Sequence, residues 1–103
     1  MILGTIIQQP GENLDYDVDY SRFFDLENTY RVNVLATNDA IKSATHTVEP
    51  VGLVVTPAIN TDTILKLWIS GAAADTTYKV TITVVTNTNR VKIDEIIVIG
   101  EDY

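Results

Sequence analysis

The sequence predicts an all-β fold, an antiparallel immunoglobulin-like β-sandwich of about seven to eight strands. Three observations support this prediction. Apolar and polar residues alternate with a period of two in several segments, as they do in strands with one buried face. β-Branched and aromatic residues fill these segments, as pleated surfaces prefer. Turn-forming residues separate them at intervals of roughly 8 to 12 residues, a spacing typical of two-sheet sandwiches.

Four segments have the alternation expected of half-buried strands. Residues 14–20 (LDYDVDY) place Leu, Tyr, Val and Tyr on one face and three aspartates on the other. Residues 29–34 (TYRVNV) and 77–85 (TYKVTITVV) follow the same rule, and the polar residues of the second segment are predicted to face water. Residues 43–48 (SATHTV) form the fourth strand of this kind and contain the only histidine, His46.

Three shorter segments are apolar on both faces, namely residues 53–55 (LVV), 64–69 (ILKLWI) and 96–99 (IIVI). Such runs suit the central strands of a sandwich, or strands that also contact a neighbouring molecule. They complete the set of predicted strands.

Turn signals fall between the predicted strands. They are short segments rich in Pro, Gly, Asn and Asp: QPG at 9–11, TND at 37–39, EPVG at 49–52, TP at 56–57, SG at 70–71 and TNTN at 86–89. The last is predicted to be a tight hairpin, because Asn tolerates positive φ better than most residues. The pattern contains no convincing helix, although one helical turn stays open at 21–28.

The bulk composition bounds the function. A chain of 103 residues is expected to form a single domain over 1–103, with 1–11 as a possible N-terminal arm. The formal net charge of −7 disfavours nucleic-acid binding, because phosphate backbones repel an acidic chain. No apolar run approaches the roughly 20 residues of a membrane span. With no cysteine, disulfides and thiolate chemistry are excluded, and the redox compartment stays undetermined.

The row Asp15, Asp17 and Asp19 is the first candidate interaction site. Counted from Asp15, an EF-hand calcium loop needs Gly at its sixth position and Glu at its twelfth, where this chain has Tyr20 and Leu26. A solvated strand face is therefore favoured over a calcium site, which stays an alternative. Negative charge along an edge strand would discourage accidental pairing and offer a basic partner something to recognise.

No catalytic, cofactor-binding or metal site is predicted, and the chain is not expected to be an enzyme. The motifs GxxxxGK[ST], GxGxxG, GxSxG and HExxH do not occur. His46, alone and without a placed Ser or Asp partner, is interpreted as a structural residue.

Trp68, Ile96 and Val98 are the other candidate interaction residues. Trp68 should lie on the opposite strand face from Leu65, Leu67 and Ile69, and the second sheet of a sandwich can cover only one of these faces. It could be a core aromatic or an interface anchor, since Trp is enriched at interface hot spots. Ile96 and Val98 form one face of a predicted strand whose other face is also apolar. The second sheet can cover only one of these faces, which indicates that another subunit covers the other.

Five segments, in order, resemble a family of small tailed-phage proteins, the fiber-tail adaptor or neck structural proteins. Residues 14–21 resemble its LDYxVDW(S) opening, 40–48 its xIxxSTWTV, and 52–55 its GLTV. Residues 67–71 are similar to its VWLSGG, and 76–95 to its GTTYxVTNxxxTxxGRxDE. Agreement in order and spacing spans about residues 12 to 99, most of the chain.

The chain departs from the family pattern at several positions. Tyr20 and His46 stand where the family usually has Trp, and Ala72 stands for the second Gly of its SGG turn. Residues 26–37 look like an insertion that contains an additional strand.

The resemblance implies a non-enzymatic virion structural protein of the phage tail or neck, made in the host cytoplasm. It would link the head-tail connector or tail to fibers or neighbouring neck proteins by protein-protein contact. Its partners would be other virion proteins, and its copies would form a symmetric homo-oligomeric ring, with no nucleic acid and no membrane involved. Capsid decoration, or a carbohydrate- or calcium-binding module, are the alternatives.

Overall fold

The computed structural model of the protein describes residues 2–20 and 40–102. Within these ranges the chain forms strands and connecting turns, and contains no helix. The strands are β1 (Ile2–Gln8), β2 (Asn13–Asp19), β3 (Ile41–Glu49), β4 (Val54–Ile59), β5 (Ile64–Ser70), β6 (Thr76–Thr86) and β7 (Val91–Gly100). The predicted strand at 29–34, the possible helical turn at 21–28 and the turn at 37–39 lie outside the described residues. So does the whole of the insertion assigned to 26–37.

The strands form two sheets, which confirms the predicted β-sandwich. The larger sheet has the order β1-β7-β6-β3 and the smaller sheet the order β2-β5-β4. All pairs are antiparallel except β1 with β7, which run parallel. In constant-type immunoglobulin domains the first strand lies in the same sheet as the second. Here it has moved to the edge of the other sheet, beside the last strand.

Alternate residues of the strands meet between the two sheets, as the period of two predicts. In β6 the apolar residues Tyr78, Val80, Ile82 and Val84 are all buried, while Lys79 between them is exposed. The central strand β5 contributes three fully buried side chains, Leu65, Leu67 and Ile69. Burial of this apolar surface is the main stabilising contribution to the fold.

Strand β2 is buried less completely than its sequence pattern suggested. Tyr20, just after the strand, belongs to the core, and Tyr16 and Val18 are only partly buried against it. Leu14, which was expected to face the core, is exposed. The reason is that, among the described strands, β2 has a neighbour on one side only, so these strands cover its inward side chains incompletely.

The hairpin at 86–89 is confirmed. Asn89 has φ of 64°, as anticipated for Asn in this turn. The turn is closed by two backbone hydrogen bonds, from the Thr86 amide to the Arg90 carbonyl and from the Asn89 amide to the Thr86 carbonyl. It joins β6 to β7, the two longest strands.

Two expectations need correction. Within the range 1–11, considered a possible arm, residues 2–8 form β1 and pair with β7. The turn predicted at 56–57 is wrong, because Pro57 lies within β4 opposite Leu67. A proline is compatible with β4 because, among the described strands, β4 lies at the edge of its sheet, where a missing amide donor can face away from the ladder.

We expect Tyr20→Phe to make the protein less sensitive to alkaline pH. The buried Tyr20 hydroxyl has no hydrogen-bond partner, and burial first, then the Asp94 carboxylate, raise the pKa of this phenol above its usual 10.0. A raised folded-state pKa means that the phenol's contribution to stability is complete below pH 10 and is lost as the pH rises further. Urea denaturation should show less loss of stability between pH 10 and 11 in the variant.

At neutral pH the same variant should be as stable as the parent, or more stable by about 1 kcal/mol, because it removes an unsatisfied buried hydroxyl. A variant that loses stability between pH 10 and 11 as steeply as the parent would contradict this account.

Candidate protein-protein interfaces

The outer face of the smaller sheet carries the predicted acidic row. We call Asp15, Asp17, Asp19, Lys66 and Trp68 the acidic face. All three aspartates project from β2, and Lys66 and Trp68 from β5 alongside them. The Lys66 Nζ donates hydrogen bonds to Asp15 Oδ2 at 2.8 Å and to Asp17 Oδ1 at 3.1 Å. One cation thus bridges two carboxylates, and the face keeps a net negative charge.

These contacts alter the acid-base behaviour of the pair. The hydrogen bond from Lys66 is the main cause that lowers the pKa of the Asp15 carboxyl below its usual value. The same hydrogen bond, followed by that to Asp17, raises the pKa of Lys66. Asp15 is exposed and Lys66 is half-buried at the surface, so the ion pair is expected to add little to stability.

A calcium ion at the aspartate row was the alternative to a solvated face. Lys66 already occupies the position between Asp15 and Asp17 that a cation would take. Across residues 2–20 and 40–102, no three His, Cys, Asp or Glu side chains lie close enough together to hold a metal ion.

Trp68 lies on the outer surface, with 42% of the residue exposed. As predicted, it faces away from Leu65, Leu67 and Ile69, which are in the core. Its cross-strand neighbours are Asp15 on β2 and Thr56 on β4. Because Trp is enriched at interface hot spots, Trp68 stays a candidate interaction residue.

For Ile96 and Val98, the prediction of an interaction role is wrong. They are 5% and 0% exposed and lie in the core. The inward phase of β7 also includes Asp94 and Gly100. The period of two distinguished the two faces of this strand correctly, but the assignment of the inner and outer face was reversed.

The side chains of β7 that point away from the core lie on the outer face of the larger sheet, and most of them are apolar. We call Ile2, Ile7, Val91, Ile93, Ile97 and Ile99 the isoleucine face. The first four are exposed and the last two are half-buried. Ile7 lies beside Ile99 in the β1–β7 register, and Glu95, which is half-buried in the same outward phase of β7, lies beside Ile2.

Sequence reasoning missed most of the isoleucine face. The signal was present, since residues 96–99 are apolar in both phases and 2–7 contain four large apolar residues. Because 1–11 was interpreted as an arm, no strand was predicted there and its apolar residues were not assigned to a sheet.

No helix capable of spanning a membrane is found in residues 2–20 and 40–102.

His46 lies on strand β3 opposite Ile82, and it is exposed.

The segments used for the family resemblance lie mainly on the strands. They include two positions with a clear structural role. Gly71 has φ of 82°, which side chains rarely adopt. Asp94 is fully buried and forms an ion pair with Lys92 at 2.8 Å.

Comparisons with known proteins bear on identity. No curated protein matches the chain. One solved structure with some likeness is a 2,6-sialyltransferase of Vibrionaceae Photobacterium sp. JT-ISH-224, at 10% sequence identity and a TM-score of 0.49. The likeness covers 98% of this chain and 18% of that enzyme chain.

A protein-family model described as podophage GP4 fiber-tail adaptor protein gp77 matches residues 8–99. This range contains β2 to β6 entirely and all but the last residue of β7. It also holds the acidic face and, from β7, most of the isoleucine face. The chain therefore belongs to the podophage GP4 fiber-tail adaptor family, a family of structural proteins of the phage tail.

Proposed function

We propose that this protein links the phage tail or head-tail connector to fibers or neighbouring neck proteins, through two opposite faces that bind different partners. The acidic face would contact one virion protein and the isoleucine face another. The activity is mechanical attachment, with no catalytic step.

The observation that carries this proposal is the contrast between the two outer surfaces of the sandwich. An adaptor that binds two unlike partners needs two surfaces that do not compete for the same one. The acidic face presents carboxylates and one exposed Trp. The isoleucine face combines four exposed large aliphatic residues with threonines from β6 and β3. Apolar burial would drive binding on one side, and charge complementarity would select the partner on the other.

The two faces predict different salt responses. Contact through the acidic face should weaken as ionic strength rises, because exposed charges are screened over roughly 8 to 10 Å at physiological salt. Contact through the isoleucine face should depend less on salt, because aliphatic residues outnumber the charged Lys79 and Glu95 on that side of the sheet.

Assembly of the chain with itself is part of the proposal. Copies arranged around a symmetric connector would contact one another head-to-tail and close into a ring.

One substitution on each face tests the proposal with purified tail, neck and fiber proteins of the same phage. Ile93→Glu places a charge at an aliphatic residue that is 55% exposed, and Trp68→Ala removes the aromatic anchor. We expect Ile93→Glu to weaken binding of one virion protein, and Trp68→Ala to weaken binding of a different one, each by at least about tenfold. Affinities are measured by surface-immobilised binding at two salt concentrations.

Val51→Glu is the matched control for the aliphatic-to-acid change. Val51 is 89% exposed in the turn between β3 and β4, away from both faces, so the variant should bind both partners normally. Loss of a single common partner from both face variants would contradict a two-sided adaptor and favour one-sided attachment, as in capsid decoration.

A further inference from the structure

Trp68 stands near the middle of the outer face of the smaller sheet. It belongs to β5, which runs between β2 and β4, and its cross-strand neighbours are Asp15 on β2 and Thr56 on β4. The residue is 42% exposed, and so is the Asp15 side chain. Side chains directly opposite each other on paired strands lie about 5 Å apart at their Cβ atoms. An aromatic ring and a carboxylate are therefore held side by side, and both are open to solvent.

The two sides of Trp68 differ in polarity. On the β2 side lie Asp15 and, diagonally, the exposed Asp17. On the β4 side lie Thr56 and, diagonally, the exposed Val54. A side chain that lies across Trp68 would therefore meet carboxylates at one end and apolar surface at the other.

Lys66 holds the two carboxylates in position without cancelling their charge. Its ammonium group donates hydrogen bonds to Asp15 Oδ2 and to Asp17 Oδ1. Asp15 and Asp17 carry two negative charges and Lys66 carries one positive charge, which leaves one negative charge beside Trp68. The hydrogen bond from Lys66 also lowers the pKa of the Asp15 carboxyl, so Asp15 stays ionised at neutral pH. A ligand with one positive charge would be complementary to this surface.

A guanidinium group suits this surface better than an ammonium group does. It is planar, stacks on aromatic faces, and donates two parallel hydrogen bonds to a carboxylate. Among aromatic side chains, Trp attracts a cation to its ring face most strongly. An ammonium group is a compact charge, and that of Lys66 already lies between Asp15 and Asp17. A second cation would therefore approach from the Trp68 side, where a planar group can stack.

We propose that the partner of the acidic face presents an arginine side chain that stacks on Trp68 and donates hydrogen bonds to the Asp15 carboxylate. A carboxylate has about four acceptor sites, so the bond from Lys66 leaves room for these donors. The aliphatic part of the arginine lies toward Val54 and Thr56. Arg and Trp are both enriched at interface hot spots, and hot spots tend to pair across an interface.

This inference deepens the proposed adaptor function, and rests on it for the statement that the partner is a virion protein. The chemistry of the surface is testable on the full-length chain alone. Trp68 is the only tryptophan, so a single indole N–H signal in the ¹⁵N–¹H NMR spectrum reports on this surface. NMR titration also detects the weak binding expected of a single amino acid.

The probe is arginine blocked at both ends, N-acetyl-arginine methylamide. Its controls are the corresponding blocked lysine, which keeps the charge, and blocked citrulline, which keeps the shape and loses the charge. Methyl glucoside and methyl galactoside test for a carbohydrate, the other ligand class that stacks on exposed aromatic rings. A neutral sugar would leave the negative charge beside Trp68 unbalanced, so the charges favour arginine.

We expect the blocked arginine to shift the Trp68 signal saturably, at least about threefold more tightly than the blocked lysine, and citrulline and the sugars to leave the signal unchanged. Asp15→Asn should weaken arginine binding by at least about threefold, because it removes the charge and keeps the size of the side chain. Glu49→Gln is the matched control. It removes one exposed carboxylate from β3, opposite Lys79 on the far side of the sandwich, and should bind arginine like the parent.

The virion protein that binds the acidic face should respond in the same way. Modification of its arginines with phenylglyoxal should weaken binding to this chain by at least about tenfold, and acetylation of its lysines should weaken it less. Asp15→Asn should weaken the same contact, and Glu49→Gln should not.

Equal binding of the blocked arginine and the blocked lysine, no shift of the Trp68 signal, or binding unchanged by Asp15→Asn would overturn the proposal. A shift caused by a sugar and not by arginine would assign the surface to a carbohydrate. A shift caused by concentrating the chain alone would assign it to a second copy. Either assignment would also overturn the proposal.

The outcome is independent of the two-face test. If Trp68→Ala and Ile93→Glu lose different partners while the blocked arginine leaves the Trp68 signal unchanged, only the arginine proposal fails. If the blocked arginine binds as expected while the face variants keep their partners, only the two-face proposal fails.

Discussion

Leu67→Ala is expected to lower the free energy of unfolding by about 2 to 5 kcal/mol. Leu67 is fully buried on β5, the central strand of the smaller sheet, and lies opposite Tyr16 and Pro57. The change removes apolar contacts and leaves a cavity that two flanking strands must close. Domains of this size have roughly 5 to 15 kcal/mol of stability in total, so the loss is large. Urea denaturation monitored by far-UV circular dichroism measures it.

Trp68→Ala is the matched control for Leu67→Ala, since the two residues are adjacent on β5 and face opposite ways. It removes a larger side chain, but from a position that is 42% exposed, so it leaves no enclosed cavity and should lower stability by less than Leu67→Ala does. A Trp68→Ala protein clearly less stable than Leu67→Ala would contradict the assignment of inner and outer faces on β5.

Gly100→Ala is expected to lower the free energy of unfolding by about 1 to 3 kcal/mol, although it adds a single methyl group. A Cβ at Gly100 would overlap the backbone carbonyl of Ala73. That backbone segment cannot move freely, because the amide of Asp75 donates a hydrogen bond of 2.9 Å to the Gly100 carbonyl. Thermal and urea denaturation would show the loss.

Gly4→Ala is the control for a glycine-to-alanine change in a strand of the same sheet. A Cβ there meets nothing within 4 Å, so the substitution should be neutral or slightly stabilising. A Gly100→Ala protein as stable as Gly4→Ala would show that the 73–75 segment can move away from β7.

Periodicity alone predicted the sandwich and much of its core. The alternation in 77–85 identified the buried residues of β6 correctly, because a strand covered on one face must separate apolar from polar residues. The same rule separated Trp68 from Leu67. In β6 the polar residues of one phase also show which side is buried. In β5 the pattern separated the two faces but left Trp68 as either a core aromatic or an interface anchor.

The pattern did not determine the orientation of β7. Residues 96–99 are apolar in both phases, so either phase could have faced inward. The orientation follows from the β6–β7 register, in which Tyr78 lies opposite Val98 and Thr77 opposite Ile99. The hairpin at 86–89 sets that register. The hairpin was predicted, and its register places Ile96 and Val98 opposite the buried Val80 and Tyr78.

The place of β1 was harder to predict. Its partner β7 is almost the whole chain away, and the two run parallel, so no hairpin links them. No local signal in MILGTIIQQ distinguishes a strand in the larger sheet from one in the smaller sheet. The part of the isoleucine face that β1 contributes depends on this pairing, and it was not predicted for that reason.

Cross-linking of intact virions with a lysine-reactive reagent tests the two-sided adaptor most directly. Lys66 lies on the acidic face and Lys79 on the outer face of the larger sheet, opposite Ile97. We expect Lys66 and Lys79 to cross-link to two different virion proteins of the tail, neck or fiber. Cross-links from both lysines to one and the same protein, or to the capsid shell, would contradict the account.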